Sequence, residues 1–253
     1  MVGIGGQLIR IERYTDTGPM KKWTTLDTAL MPDGKTISLY EHDGSYSVRV
    51  GGAELMSTRR HASEEKIAEV ACAQAKAIRR ARVLIGGLGF GFTLKAALAV
   101  LPSDATVVMA EILAAVVAWN RNPSFPLAAA ALADRRVIVL EKDVAEAIRE
   151  SRAAFDSIIL DVDNGPAALS TEGNRGLYTA RGLHSIRTAL RPGGCLAVWS
   201  AAPDPAFGRL MVRAGFAVEV QRSRPHANSG GWHTIFVGRV GSSSPKTGGV
   251  TSA

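Results

Sequence analysis

The chain of 253 residues is 46% hydrophobic and 21% charged, an ordinary globular balance, and is long enough for one α/β domain of about 180 residues plus a small appendage. No run reaches the roughly 18 apolar residues of a membrane span, and the N-terminus lacks a signal-peptide layout, so a cytoplasmic protein with no membrane partner is expected. The net charge of +7 invites nucleic acid, but Arg59-Arg60, Arg79-Arg80-Arg82 and Arg135-Arg136 each border a predicted element end without interleaved aromatics, which favours a solvated surface.

In chain order, residues 1–60 read as a small β-hairpin domain. Lys35–Glu41 and Ser45–Gly51 alternate at period two around His42-Asp43-Gly44, a good hairpin turn, and a third strand is expected near Trp23–Leu30. Gly51–Met56 leads towards a helix over 63–80. There Ser63 resembles an N-cap and Glu64 and Glu65 complement the first-turn dipole; the alternative is that this turn overhangs the next motif and supplies ligand contacts. Cys72 and Cys195 lie in apolar elements and read as buried thiols of a reducing compartment, and the five histidines have no metal-ligand spacing, so no metal is expected.

The stretch 81–93 carries the strongest signal. Val83-Leu84-Ile85 is an apolar run that breaks into Gly86-Gly87-Leu88-Gly89-Phe90-Gly91, followed at once by a helical pattern from Thr93 to Leu101. A buried strand, a glycine turn and a helix in that order open a nucleotide-binding α/β domain. Gly87, Gly89 and Gly91 allow positive φ and a close ligand, with a helix N-terminus behind them.

Three later strands are expected to end in acids. Thr106–Ala110 leads to Glu111, about twenty residues past the glycines, where a carboxylate can accept from both ribose hydroxyls. Val137–Asp143 reads as a third strand ending in Asp143, and a fourth from Phe155 ends in Asp161 and Asp163. A lone acid at such a place is usually a turn former or N-cap, whereas three at matching strand tips suggest a shared pocket. Between them, helices are expected at 112–120, 127–133 and 144–153. A long loop over 165–180 follows, in which Tyr178 is a candidate to close over substrate. A helix at 181–190 precedes Arg191-Pro192-Gly193-Gly194 and a strand from Cys195 to Ser200, whose Trp199 reads equally as a pocket wall or a core indole. A further helix from Pro203 and strands at 216–220 and 233–240 complete a domain over 61–240, and the Ser- and Gly-rich residues 241–253 are expected to be disordered.

This order of elements resembles the spermidine synthase (polyamine aminopropyltransferase) family, within the wider class of S-adenosylmethionine methyltransferases, over roughly residues 35–240. The residues that carry it are the hairpin domain, Ser63-Glu64-Glu65, Val83-Leu-Ile-Gly-Gly, the strand-end acids Glu111, Asp143 and Asp161, and Arg191-Pro-Gly-Gly. The resemblance implies an α/β fold: a Rossmann-like, seven-stranded methyltransferase-type sheet with a small N-terminal β-hairpin domain, in a homodimer. It further implies that Gly87, Gly89, Gly91, Glu111 and Asp143 bind decarboxylated S-adenosylmethionine, Glu111 through the ribose and Asp143 through the adenine amine. Asp161 would be catalytic, facing the attacking amine; Asp163 and, from the loop and strand-tip reading above, Tyr178 and Trp199 are the candidates beside the substrate.

Three departures stand out. Gly89 occupies the place of an acid that anchors the aminopropyl amine, Glu64-Glu65 replace Tyr-Gln, and Asp163 is two residues past Asp161 where the family has its second acid three residues on. Glu64 and Glu65 are then candidates to replace the missing acid and bind substrate. The expected function is aminopropyl transfer to a small-molecule amine. The alternatives are an S-adenosylmethionine-dependent methyltransferase acting on a small molecule or RNA, a non-catalytic nucleoside- or polyamine-binding relative and, more weakly, an NAD-dependent dehydrogenase.

Overall fold

The computed structural model describes residues 22–31, 33–162, 165–166, 172–224 and 231–241. The first strands are β1 (Thr24–Leu30), β2 (Thr36–His42), β3 (Ser45–Val50) and β4 (Ala53–Ser57), paired antiparallel in chain order. Asp43 and Gly44 both take positive φ (54° and 74°), the geometry that matches strand twist in a two-residue hairpin. Gly51 and Gly52 repeat the device at 55° and 84°, and this second turn creates β4 where the sequence suggested only a lead-in to a helix. The strand escapes a pattern search because Ala53-Glu54-Leu55-Met56-Ser57 barely alternates in polarity.

One face of this sheet buries Ile37, Leu39, Tyr46 and Val48, which join the same apolar cluster as Val83, Ile85, Leu94 and Met109. Burying such a side chain is worth about 1.5–3 kcal/mol, so these four side chains help tie the two sheets together. Trp119 adds a polar tie: its Nε1 donates to Asp27 Oδ2 at 2.7 Å.

Next comes α1 (Ala62–Cys72), capped at His61, and it is shorter than the predicted 63–80. A single 3-10 turn at Ala75–Ala77 follows, and Ile78 is already extended (ψ 122°) to feed the next strand. Ser63 does not cap the helix; it lies buried within the first turn. The chain continues through β5 (Arg82–Gly86), α2 (Phe92–Val100), β6 (Thr106–Ala110), α3 (Ala114–Arg121), α4 (Ala129–Leu132), β7 (Val137–Leu140), α5 (Val144–Arg149) and β8 (Phe155–Leu160). Then follow α6 (Glu172–Arg175), a 3-10 turn at Gly176–Tyr178, α7 (Ala180–Ala189), β9 (Leu190–Ser200), α8 (Pro205–Arg213), β10 (Ala217–Ser223) and β11 (His233–Arg239).

The second sheet runs β10-β11-β9-β8-β5-β6-β7. Its pairs from β9 through β8, β5 and β6 to β7 are parallel, whereas β11 is antiparallel to both β9 and β10. This is the expected seven-stranded, methyltransferase-type sheet with a small antiparallel sheet before it. Burial follows the pleat: Val83 and Ile85 face the cluster shared with α1, α2 and α3, whereas Leu84 faces the one built on α5, α7 and α8. β9 begins at Leu190 and not at Cys195. Its register with β8 breaks between Phe155 and Ser157, which absorbs Arg191–Gly194 as an irregularity. The residues 1–21, most of the loop after Asp161 including Asp163, and the tail from 242 lie outside the described residues.

Candidate active site

Gly86 pairs across the sheet with Ala110 on β6 and Leu160 on β8, and Ala110 pairs with Leu140 on β7. The next residue on each strand is therefore level with the others: Gly87, Glu111, Glu141 and Asp161. Parallel register thus places Glu111 and Asp161 on either side of the glycine turn. Asp143 lies two residues beyond the tip level, because β7 ends at Leu140; the residue in register there is Glu141, which pairs with Arg121 at the surface.

The turn is shaped for close approach. Gly87, Gly89 and Gly91 have φ of 90°, 52° and 75°. A Cβ on Gly87 would collide with the Asp161 carbonyl, and one on Gly91 would lie 2.5 Å from Ala128 Cβ. At Gly89 the nearest atom is Met56 Sδ, at 3.7 Å, so that position is open and borders the N-terminal sheet. Asn120, buried on α3, donates from Nδ2 to the Gly89 carbonyl at 2.8 Å and to the Val116 carbonyl at 2.9 Å. Asn120 braces the turn from a position that no motif marks.

The strand-tip acids have different surroundings. Glu111 is buried; its Oε2 accepts from Leu88 N–H inside the glycine turn and its Oε1 from Leu113 N–H, both at 2.9 Å. Asp143 caps α5, its Oδ1 accepting from Ala145 N–H at 2.8 Å. The neighbouring Val144 packs against Gly86, where a Cβ would meet it at 2.7 Å. Among the described residues Asp161 receives one side-chain hydrogen bond, from Thr93 Oγ1 at 2.6 Å. Burial pushes the Asp161 carboxyl up to about 6, with the Thr93 hydroxyl pulling the other way.

Glu64 and Glu65 part company. Glu65 Oε1 accepts from His61 Nδ1 at 2.9 Å at the start of α1, and the His61 ring stacks on Phe92 with centroids 4.3 Å apart. Glu64 faces inward. Its carboxyl is held well above the usual range, first by burial, then by the charge of Asp161 and then by that of Glu65, with Lys95 opposing. Thr93 joins the two acids: its hydroxyl also lies 3.3 Å from the Glu64 carbonyl oxygen. Lys95 sits 4.9 Å over the Phe92 ring, and burial lowers it against the pull of Glu64 and Glu65. The Thr93 hydroxyl thus bridges the Asp161 carboxylate and the Glu64 backbone carbonyl, while the two carboxyls bear on each other through charge with Lys95 opposing.

Trp199 follows Val198, the partner of Leu160, so it flanks Asp161 at the same sheet edge. Its Nε1 is buried with no hydrogen-bond partner among the described residues, and its ring meets His233 edge-on at 4.6 Å. His233 Nδ1 and Ser63 Oγ are hydrogen-bonded at 2.9 Å. Tyr178 packs its ring edge-on against Phe207 at 5.7 Å, and its hydroxyl donates to the Val162 carbonyl at 3.4 Å; it buttresses the backbone after Asp161. Asp163 lies outside the described residues.

Thr93, Lys95, Asn120 and His233 escaped the sequence reading. Thr93 and Lys95 had a signal, since both lie in the first turn after the glycines. His233 had none, being 170 residues from Ser63. Two open surface hollows of about 600 and 500 Å³ lie elsewhere, around Glu41 and Asp43 on the N-terminal sheet and around Ser103 and Arg135. Among the described residues no cluster of His, Cys, Asp and Glu forms a metal site, and no helix is long and apolar enough to cross a membrane.

No protein-family model and no curated protein sequence matches the chain. Solved structures do. A spermidine synthase in complex with the transition-state analogue AdoDATO superposes with a TM-score of 0.65 at 18% identity, over 86% of this chain and 72% of that one. The spermidine synthase from Thermotoga maritima gives 0.64 at 19%, over 85% and 72%. A probable spermidine synthase from Corynebacterium glutamicum gives 0.57 at 16%, over 85% and 79%. The chain therefore has a spermidine synthase-like fold, with its glycine turn and strand-end acids on one sheet edge.

Proposed function

We propose that the protein is a sulfonium-nucleoside-dependent transferase that moves an aminopropyl group from decarboxylated S-adenosylmethionine to a small-molecule amine. The observation that carries this is the Asp161 carboxylate, hydrogen-bonded to Thr93 and close enough to Glu64 to bear on it through charge, beside a glycine turn that is open at Gly89. The structural likeness to spermidine synthases, one of them in complex with AdoDATO, supports the same reading.

In this reading Gly87, Gly89 and Gly91 form the floor under the nucleoside. Glu111, its orientation fixed by two backbone N–H groups, accepts from the ribose hydroxyls. Asp143 meets the adenine amino group while capping α5. Asp161 orients the acceptor amine as its nitrogen bonds to the carbon beside sulfur. The C–S bond breaks, its electron pair leaves on a neutral thioether, and Asp161 takes the proton the amine gives up. Glu64 replaces the loop acid absent at Gly89 and holds the ammonium end of the donor. Trp199 walls the acceptor side, and Tyr178 supports the backbone just after Asp161.

A second reading is favoured by the bare, open position at Gly89: methyl transfer from intact S-adenosylmethionine on the same scaffold. Calorimetric titration with both donors separates the two. Aminopropyl transfer requires the decarboxylated donor to bind more tightly. A preference of about tenfold, or 1.4 kcal/mol, for the carboxylated donor overturns it.

A further inference from the structure

We propose that His233 is an acceptor-positioning residue, whose Nε2 receives a hydrogen bond from the amine on the side of the site opposite the glycine turn. The inference rests on the transferase reading above. His233 opens β11, and the residues after it pair with the tip of β9: Thr234 with Ser200 and Ile235 with Trp199. Since Val198 pairs with Leu160, the next residues, Trp199 and Asp161, stand at the same sheet edge. A chain of contacts runs from Asp161 through Thr93 to the Glu64 backbone, then through the adjoining Ser63 hydroxyl to His233 and on to Trp199. The imidazole is therefore part of the same rim as Asp161 and Glu64, although it comes from the far end of the chain.

Its chemistry suits an amine. Ser63 occupies Nδ1, and among the described residues nothing bonds Nε2. The residue is only partly buried. The groups facing it are Ser63 on α1, Trp199 on β9, Ser223 opposite on β10, and Arg60 just before α1. Burial and the Arg60 charge lower the imidazole pKa and favour the neutral ring; with Nδ1–H donating to Ser63, Nε2 accepts from an ammonium where an imidazolium would repel it. Glu64 and Asp161 bear on the amine through charge; His233 bears on it through direction.

The two ring nitrogens can be tested apart. His233→Asn keeps an amide near Nδ1 for Ser63 and removes Nε2, whereas His233→Gln places an amide near Nε2. The full-length chain is titrated by calorimetry with linear aliphatic diamines and, separately, with 5′-methylthioadenosine, and each variant's thermal midpoint is checked. His233→Asn is expected to weaken diamine binding about tenfold with nucleoside affinity and midpoint held, and His233→Gln to recover part of the loss. Diamine affinity of His233→Asn within about twofold of the parent overturns the inference. So does an equal fall in diamine and nucleoside affinity, or a parent protein that binds the nucleoside and no diamine. Failure of the parent to bind any nucleoside sinks the transferase reading instead, while the diamine titration still decides the role of His233. Should His233→Asn unfold, Ser63→Ala releases the ring and is expected to lose diamine affinity by a smaller factor, no loss counting against the inference.

Discussion

Glu111 and Asp161 occupy equivalent places, each one residue past a strand that pairs with β5, yet they live in opposite electrostatic surroundings. Glu111 is a satisfied acceptor, each oxygen holding a backbone N–H. Asp161 has one hydroxyl and faces a second acid, Glu64. Hydrogen bonds to the charged form fix a carboxylate as a rigid acceptor, whereas burial beside a like charge leaves it avid for a proton or a cation. Identical residue chemistry is thereby divided into a side suited to hold a ligand and a side suited to move a proton.

The strongest way to break this comparison is Asp161→Asn. Single-turnover rates with the decarboxylated donor should fall by about 10²–10⁴-fold while nucleoside affinity stays within about threefold. Equal loss of both would mean the two acids act as one site.

Next comes pH. The folded-state pKa of Asp161 is raised to about 6 from 3.8, so the folded protein binds this proton more tightly than the unfolded chain does. Its contribution to stability is fully present below pH 4 and is lost as pH rises through about 6, amounting to roughly 2–3 kcal/mol. Urea melts between pH 4 and 7 should show this decline. Asp161→Asn should flatten it and raise the thermal midpoint at pH 7 by about 5 °C. Turnover should rise over the same interval as the carboxylate ionises; a profile flat from pH 5 to 8 removes Asp161 from the chemistry.

Glu111→Gln probes the other side. An amide matches only one of the two N–H donors, so nucleoside affinity should drop about ten- to a hundredfold with the pH profile unmoved. A displaced profile would show that the two halves are coupled.

The smallest effect is expected for Thr93→Val, which removes the one hydroxyl on Asp161. The acidic limb of the rate profile should shift upward by about half to one pH unit, with a stability change near 1 kcal/mol. No shift would mean that the hydroxyl serves the Glu64 carbonyl alone.

Local chemistry in the sequence was enough for the order of strands and helices from 82 to 239 apart from the short α6 and the 3-10 turn at Gly176–Tyr178, which fall where a long loop was expected, and for the glycine turn and the acids at the tips of β6 and β8. Each depends on neighbours within a few residues: apolar runs make buried strands, and glycine permits the positive φ the turn needs. Element ends were less legible. β4 depended on a glycine pair, and α1 stopped at Cys72 because the chain had to extend towards β5.

Tertiary structure alone decided which acid got which surroundings. Asp143 and Glu111 look alike in sequence, but register leaves one capping α5 and brings the other under the glycine turn. Glu64 and Glu65 are adjacent, yet a helix turns successive residues by about 100°, so one meets Asp161 and the other meets His61. Ser63 and His233 meet only because β11 returns antiparallel beside β9. Backbone shape follows from short-range preferences, whereas burial and charge environment depend on residues far apart in the chain, and these environments are what tell a ligand-holding acid from a proton-moving one.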